Sequence, residues 1–128
     1  MIVKQLDDLL GTEAEVRGAA FESRRILLAA DGLGYSLHDT VVKPGSVQEL
    51  EYRNHVESNY CIAGSGTVEN VATGEVFDLR PGTLYTLDRH ERHIIRAGDE
   101  GLRFVCIFTP ALTGREVHDE NGSYGLPD

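Results

Sequence analysis

Gly45-Ser-Val-Gln-Glu-Leu-Glu51-Tyr52-Arg53-Asn-His55-Val-Glu57-Ser-Asn-Tyr-Cys61-Ile-Ala-Gly64 is the stretch whose reading decides the fold. Glycine accepts positive φ, so the two end glycines suit tight turns. Between them an extended backbone puts Val47, Glu49, Glu51 and Arg53 on one face, with Gln48, Leu50 and Tyr52 on the other. A second extended run then carries Glu57, Asn59 and Cys61 on a common face. Taken alone, the stretch also reads as a plain hairpin with solvated charges, since charged residues are mostly exposed. The rest of the chain decides between the two.

Outward from this stretch, short strand-like runs alternate with turn signals. Met1 to Lys4, Glu13 to Val16 and Ser23 to Ala29 read as strands, with about one helical turn over Gln5 to Leu10. Asp31-Gly32 marks a turn before Tyr35 to Val42, and Pro44-Gly45 leads into the opening stretch. Further strands are expected at Thr67 to Val71, Glu75 to Leu79, Thr83 to Leu87, Arg92 to Ala97 and Leu102 to Thr109. Gly98-Asp99-Glu100-Gly101 is read as a turn separating the last two. Pro110 ends the run, because proline cannot donate to a ladder. Many short strands with almost no helical periodicity predict an all-β barrel or jelly roll in one domain over 1–128, with 112–128 as a lid-like tail, mobile without ligand.

The spacing of Gly45 to Gly64 resembles the first cupin motif: a glycine, two histidines, a glutamate and a closing glycine. Glu57 stands at the glutamate, but Glu51 and Arg53 stand at the two histidines. Gly82-Thr-Leu-Tyr85-Thr-Leu-Asp88-Arg-His90-Glu91-Arg-His93 resembles the second motif, with Gly82 and His93 matching, Asp88 at its proline and His90 at its second glycine. The expected fold is therefore a small single-domain cupin, a double-stranded β-helix. A cupin barrel would bring Glu57 and His93 together in its interior. A divalent iron or zinc site wants at least three protein ligands and an open position. Tyr85, in the strand before the turn, is the natural third. Alone, Tyr85 reads as a core tyrosine and His93 as a hydrogen-bonded histidine at the barrel mouth; on cupin spacing the trio points to metal. His55, in a turn with its side chain along the loop, and His90, in a surface turn, rank lower as ligands.

The net charge of −9 disfavours nucleic acid and anionic membrane, which call for basic patches. Cys61 and Cys106 lie in apolar strand-like runs, which suits buried free thiols in a reducing compartment. The N-terminal residues carry acids where a secretory signal needs an apolar core, and no run approaches the ~20 apolar residues of a membrane span. A cytoplasmic protein is expected. Homodimerisation is expected too, because cupins often cover edge strands with a partner.

Four stretches together resemble the ectoine synthase family: Gly34 to Thr40, His55 to Gly66, Tyr85 to His90 and Val105 to Glu120. The resemblance runs nearly end to end, and the last stretch is the one generic cupins lack. It implies an iron-dependent enzyme that closes N-γ-acetyl-L-2,4-diaminobutyrate into ectoine, an osmotic-stress solute, with loss of water. It implies the same metal trio, Glu57, Tyr85 and His93. It also implies contacts to a small-molecule substrate from Phe21, Arg25, His38, Thr40, Tyr52, Phe108, Glu116 and His118. Phe21 departs from the usual tryptophan, His38 falls at a variable position, and Thr109 stands where asparagine is common. Arg25 would grip the substrate carboxylate with its planar fork, while Arg24 beside it reads as solvated. Tyr52, Glu116 and His118 are the candidates for moving protons. Two other readings remain open on the residues alone: a different metal cupin, such as an oxygenase or isomerase, and a non-enzymatic small-molecule-binding cupin.

Overall fold

The computed structural model describes residues 1–126; Pro127 and Asp128, the end of the expected tail, lie outside the described residues. The strands are β1 (Glu15–Arg17), β2 (Phe21–Leu27), β3 (Ser36–Val42), β4 (Val47–Leu50), β5 (Val56–Asn70), β6 (Val76–Leu79), β7 (Leu84–Thr86) and β8 (His93–Thr109). A single helical turn, α1 (Leu6–Leu9), lies near the N-terminus. The sheet order is β1-β2-β3-β8-β5-β6, with β4 also on β8 and β7 also on β5. Every pair is antiparallel. This is the all-β architecture the turn spacing predicts.

Two expectations are corrected. Met1 to Lys4 forms no strand; instead Lys4 Nζ donates to the Ile26 carbonyl at 2.6 Å and pairs with Asp31 at 3.1 Å. Gly98 to Gly101 is not a turn between strands, because β8 runs through it without a break. Likewise β5 is one strand from Val56 to Asn70, and the two pair along almost their whole lengths. The glycines serve close approach instead. A Cβ at Gly64 would collide with the Gly101 carbonyl, and one at Gly66 with the Arg96 carbonyl. The register shifts between Gly64 and Gly66 and between Cys61 and Ala63, so the ribbon bends there and its two halves can belong to opposite walls.

Beside that bend Val42, Val68, Leu79, Ile95 and Leu102 fill the interior, each at most 6 % exposed. Each such side chain contributes roughly 1.5–3 kcal/mol by leaving water.

On the outer face, Asp39 is clamped by two arginines: Arg24 at 2.8 Å and Arg103 at 2.7 Å. Arg24 is thus a part-buried ion-pair partner and not a solvated strand residue, because β2 and β3 set it directly opposite Asp39. Arg24→Ala is expected to lower stability by about 1 kcal/mol, since Arg103 still serves the carboxylate. Thermal melting with unaltered turnover checks this.

Candidate active site

Alternation along β4 turns Leu50 inward, and Tyr52 just beyond the strand is also buried; Glu51 and Arg53 stay outside. Glu51 accepts from Arg53 and Arg92 at 3.1 Å each, so the two histidine positions of the cupin pattern hold a surface ion-pair cluster. Any metal donor set must come from elsewhere.

The cross-strand register shows which side chains share the barrel wall. Arg25 lies opposite His38, His38 opposite Cys106, Cys106 opposite Asn59, and Asn59 opposite Tyr85. One row of the barrel wall therefore runs from a guanidinium to a phenol across four strand pairings. The adjacent row holds Ser36, Phe108 and Glu57 in the same way. His93 enters from the start of β8, opposite Leu50.

At one end of this wall stand Glu57, Tyr85 and His93. The Tyr85 hydroxyl and His93 Nε2 are sealed from solvent and have no hydrogen-bond partner. His93 Nδ1 lies 2.9 Å from the Glu91 carbonyl, which can only accept, so Nδ1 carries the proton and Nε2 presents its lone pair. Tyr85 and His93 rings lie 6.5 Å apart. Burial drives the Glu57 carboxyl up to about 8, partly opposed by the Asn59 amide, and burial followed by the Glu57 charge drives the Tyr85 phenol well above its ordinary value. A buried carboxylate, with a phenol and an imidazole nitrogen that lack partners, has the donor chemistry a divalent cation takes. Among the described residues no group of three or more His, Cys, Asp or Glu side chains could by itself hold a metal.

At the other end Arg25 is 1 % exposed, and none of its three guanidinium nitrogens has a partner. Its guanidinium carbon lies 5.8 Å from the centre of the Tyr124 ring. His38 is also 1 % exposed; Ser23 Oγ meets its Nδ1 at 3.3 Å and its Nε2 is unpartnered. Burial, reinforced by the Arg25 charge, lowers His38 to about 3.

Between the ends, Tyr52 meets His118 Nε2 at 2.8 Å. Burial, then Arg25, lowers His118 to about 4, so its imidazole is neutral at neutral pH and can accept. Phe21 packs edge-on to His118 with ring centres 5.4 Å apart, and Phe108 lies edge-on to Tyr52 at 5.1 Å. Thr40 lines the same cavity. Glu116 is not among the residues lining that cavity; its carboxylate takes bonds from Thr113 N, Thr113 Oγ1 and Gly114 N at 2.8, 2.8 and 2.9 Å. Burial resists its ionisation, but these donors outweigh burial and lower its pKa. It fastens the tail more than it faces the cavity.

The described part of that tail, to Leu126, is a docked strap. Glu51 N donates to Gly122 O at 3.3 Å, Arg53 N to Ser123 Oγ at 3.0 Å, and Asn54 Nδ2 to Tyr124 O at 2.9 Å. Tyr124, 3 % exposed, stacks on His118 with ring centres 4.5 Å apart. A lone aromatic in a polar stretch gave no periodic signal. His55 is also corrected. It is 1 % exposed, its ring faces Phe108 at 6.1 Å, and neither ring nitrogen has a partner. The turn ends there, so the side chain follows the inward face of β5 instead of the loop. Asn59 was already legible on the face of Glu57; its buried Nδ2 makes no well-formed hydrogen bond, though it lies near enough to Glu57 to ease that carboxyl's ionisation.

A barrel of this topology with a carboxylate, a phenol and an imidazole converging inside it is a small cupin. Solved cupins of low identity share the fold, among them an oxalate decarboxylase from Lactobacillus farciminis (TM-score 0.65, 23% identity, 76% of this chain and 30% of that one). The chain belongs to the ectoine synthase family, whose model matches residues 1–128 and whose members are carbon–oxygen lyases. It is 54% identical to the L-ectoine synthase of Desulfatibacillum aliphaticivorans, over 100% of this chain and 99% of that protein. It is 51% identical to that of Alkalilimnicola ehrlichii, over 98% and 96%. The crystal structure of ectoine synthase from P. lautus superposes with a TM-score of 0.89 at 46% identity, covering 100% of this chain and 92% of that one.

Proposed function

We propose that this chain closes N-γ-acetyl-L-2,4-diaminobutyrate into ectoine, with Glu57, Tyr85 and His93 holding a divalent iron. The observation that carries the reading is the pairing of opposites in one cavity wall. Arg25, a buried guanidinium with no partner among the described residues, stands at one end; the unpartnered Tyr85 hydroxyl and His93 Nε2 stand at the other, beside buried Glu57. A substrate with a carboxylate at one end and an acetamide at the other matches both. Zinc fits the same donors and is expected in some preparations. When bound, the ion supplies Lewis acidity to the acetamide oxygen.

The residues of the chain do the rest. Arg25 takes the α-carboxylate bidentately and so fixes the α-carbon. Phe21, Phe108 and Tyr124 hold the chain folded and keep water out. The neutral α-amine attacks the acetamide carbon, a C–N bond forms, and the C–O bond breaks as water departs. Both amine protons end on the departing oxygen. Tyr52 hands its proton to neutral His118 as it takes one from the amine, the pair returns it to the oxygen, and the same relay carries the second proton as the C–O bond breaks. Glu116 keeps the strap that carries His118 in place.

Buried free thiols at Cys61 and Cys106 support a reducing, cytoplasmic setting. Exposed Tyr60, Ile62, Leu84 and Ile107 on the outside of β5, β7 and β8 support a homodimer. No helix among the described residues is long and apolar enough to cross a membrane.

Incubation of the purified protein with ferrous iron and the acetylated diamine should yield ectoine by chromatography; none above the metal-free blank sinks the proposal. The donors also set a pH dependence. The free Glu57 carboxyl is raised to about 8, so below that pH metal entry must expel its proton. The Tyr85 phenol must lose one as well. Metal affinity should therefore rise with pH, about tenfold per unit for each proton expelled. Chelator competition between pH 6 and 8 checks the slope.

A further inference from the structure

His90 stands apart from the cavity, yet its backbone and ring are both unusual. It is the one non-glycine residue with positive φ among those described, at 57°. Asparagine, aspartate, histidine and above all glycine tolerate that conformation. The ring is turned toward a neighbouring loop. Nδ1 lies 2.8 Å from the Tyr52 carbonyl and 3.0 Å from the His55 carbonyl. Carbonyls only accept, so Nδ1 is protonated and one N–H is shared between the first and last residues of the 52–55 turn. That turn has no closing bond of its own from His55 N to Tyr52 O among the described residues. His90 supplies the closure from outside.

The two residues whose carbonyls it holds both send side chains inward. Tyr52 is 3 % and His55 1 % exposed, and Glu57 follows two residues later. His90 itself lies between Tyr85 and His93 in sequence, its own turn being fixed by a bond from His90 N to Leu87 O at 3.4 Å. One ring thus ties the loop that carries the Tyr85–His93 side of the site to the loop that carries Tyr52, His55 and Glu57. We infer that His90 is a positioning residue: a latch that sets the register between the two loops and so aims the Tyr52–His118 pair at the reacting atoms. The inference deepens the cyclase reading above and rests on it only for the kinetic arm of its test.

His90→Gly keeps the backbone conformation and removes the ring. His90→Asn keeps both a tolerated φ and a donor on the atom bonded to Cγ, as in histidine. Misplacement of a catalytic pair by about 1 Å costs on the order of a hundredfold. The glycine variant should therefore lose kcat about ten- to a hundredfold, with ferrous iron bound at native stoichiometry. Hydrogen exchange over residues 51–56, measured on the protein without substrate, should speed up about tenfold. The asparagine variant should recover most of both. Unchanged exchange or unchanged kcat in the glycine variant overturns the latch, as does an asparagine variant no better than glycine while folded. Because exchange is read without turnover, failure of the cyclase reading would leave that arm standing, and the two failures are distinguishable.

Discussion

Tyr85→Phe is expected to lose iron while becoming a more stable metal-free protein. The hydroxyl is buried and unpartnered, so removing it deletes a desolvation cost of about 1 kcal/mol or more. The ring keeps its edge-on contact with Phe104 at 5.8 Å, so packing is retained. The cation, by contrast, loses one of three protein donors. Affinity should fall by well over the ten- to hundredfold typical of losing a mere supporting partner, and cyclisation by two to three orders of magnitude, about 3–4 kcal/mol of barrier. Glu57→Ala and His93→Ala should empty the site as well. They differ in sign of stability only where they remove packed volume. The measurements are iron content after dialysis, thermal melting and ectoine formation. A phenylalanine variant with native iron content and native turnover would exclude the phenol from the metal site.

Much of this was legible in the chain. The period-two pattern set Glu57, Asn59 and Cys61 on one face, and the structure keeps that face inward. Leu50 and Tyr52 were separated from Glu51 and Arg53 for the same reason, which is why the missing histidines leave no gap in the interior. The breaks in legibility have physical causes. Gly98 to Gly101 carries the composition of a turn, but its glycines answer to the Gly64 and Gly66 backbone across β5 and β8, a pairing distant in sequence. Local chemistry cannot distinguish a residue that must turn from one that must let another strand pass. His55 and Tyr124 failed differently. Each is a single residue at the end of a turn or within a strap, with no period to reveal its face. Arg24 and Arg25 are neighbours of identical chemistry. Only the register of β2 against β3, which sets Arg24 opposite Asp39 and Arg25 opposite His38, tells the outer ion pair from the inner unpaired cation.

That inner cation yields the second large effect, again with stability and function moving in opposite directions. Arg25 keeps its charge 99 % out of solvent contact without a carboxylate among the described residues to pair with. Such a group is costly to bury, and replacing buried ionic groups by apolar ones of similar volume commonly stabilises by about 1–4 kcal/mol. Arg25→Met is therefore expected to raise the melting temperature of the substrate-free protein. It should also relieve His38 and His118, both of which are held down by burial first and by the Arg25 charge second. Their folded-state pKa values lie below the unfolded 6.5, so the native state loses stability as pH falls from about 6.5 toward about 3. The variant should lose less over that window. In the proposed binding mode the substrate carboxylate, however, loses its guanidinium partner. Truncating one side of a buried charge pair costs roughly 2–5 kcal/mol, so kcat/KM should fall on the order of a thousandfold, with iron content unchanged. Arg25→Lys retains an unpaired charge without the planar fork, and should recover part of the binding and none of the stability. Melting curves, iron content and kcat/KM on the two variants decide the matter. An Arg25→Met protein that is less stable than the native one, or that binds substrate normally, would show that the guanidinium is structural.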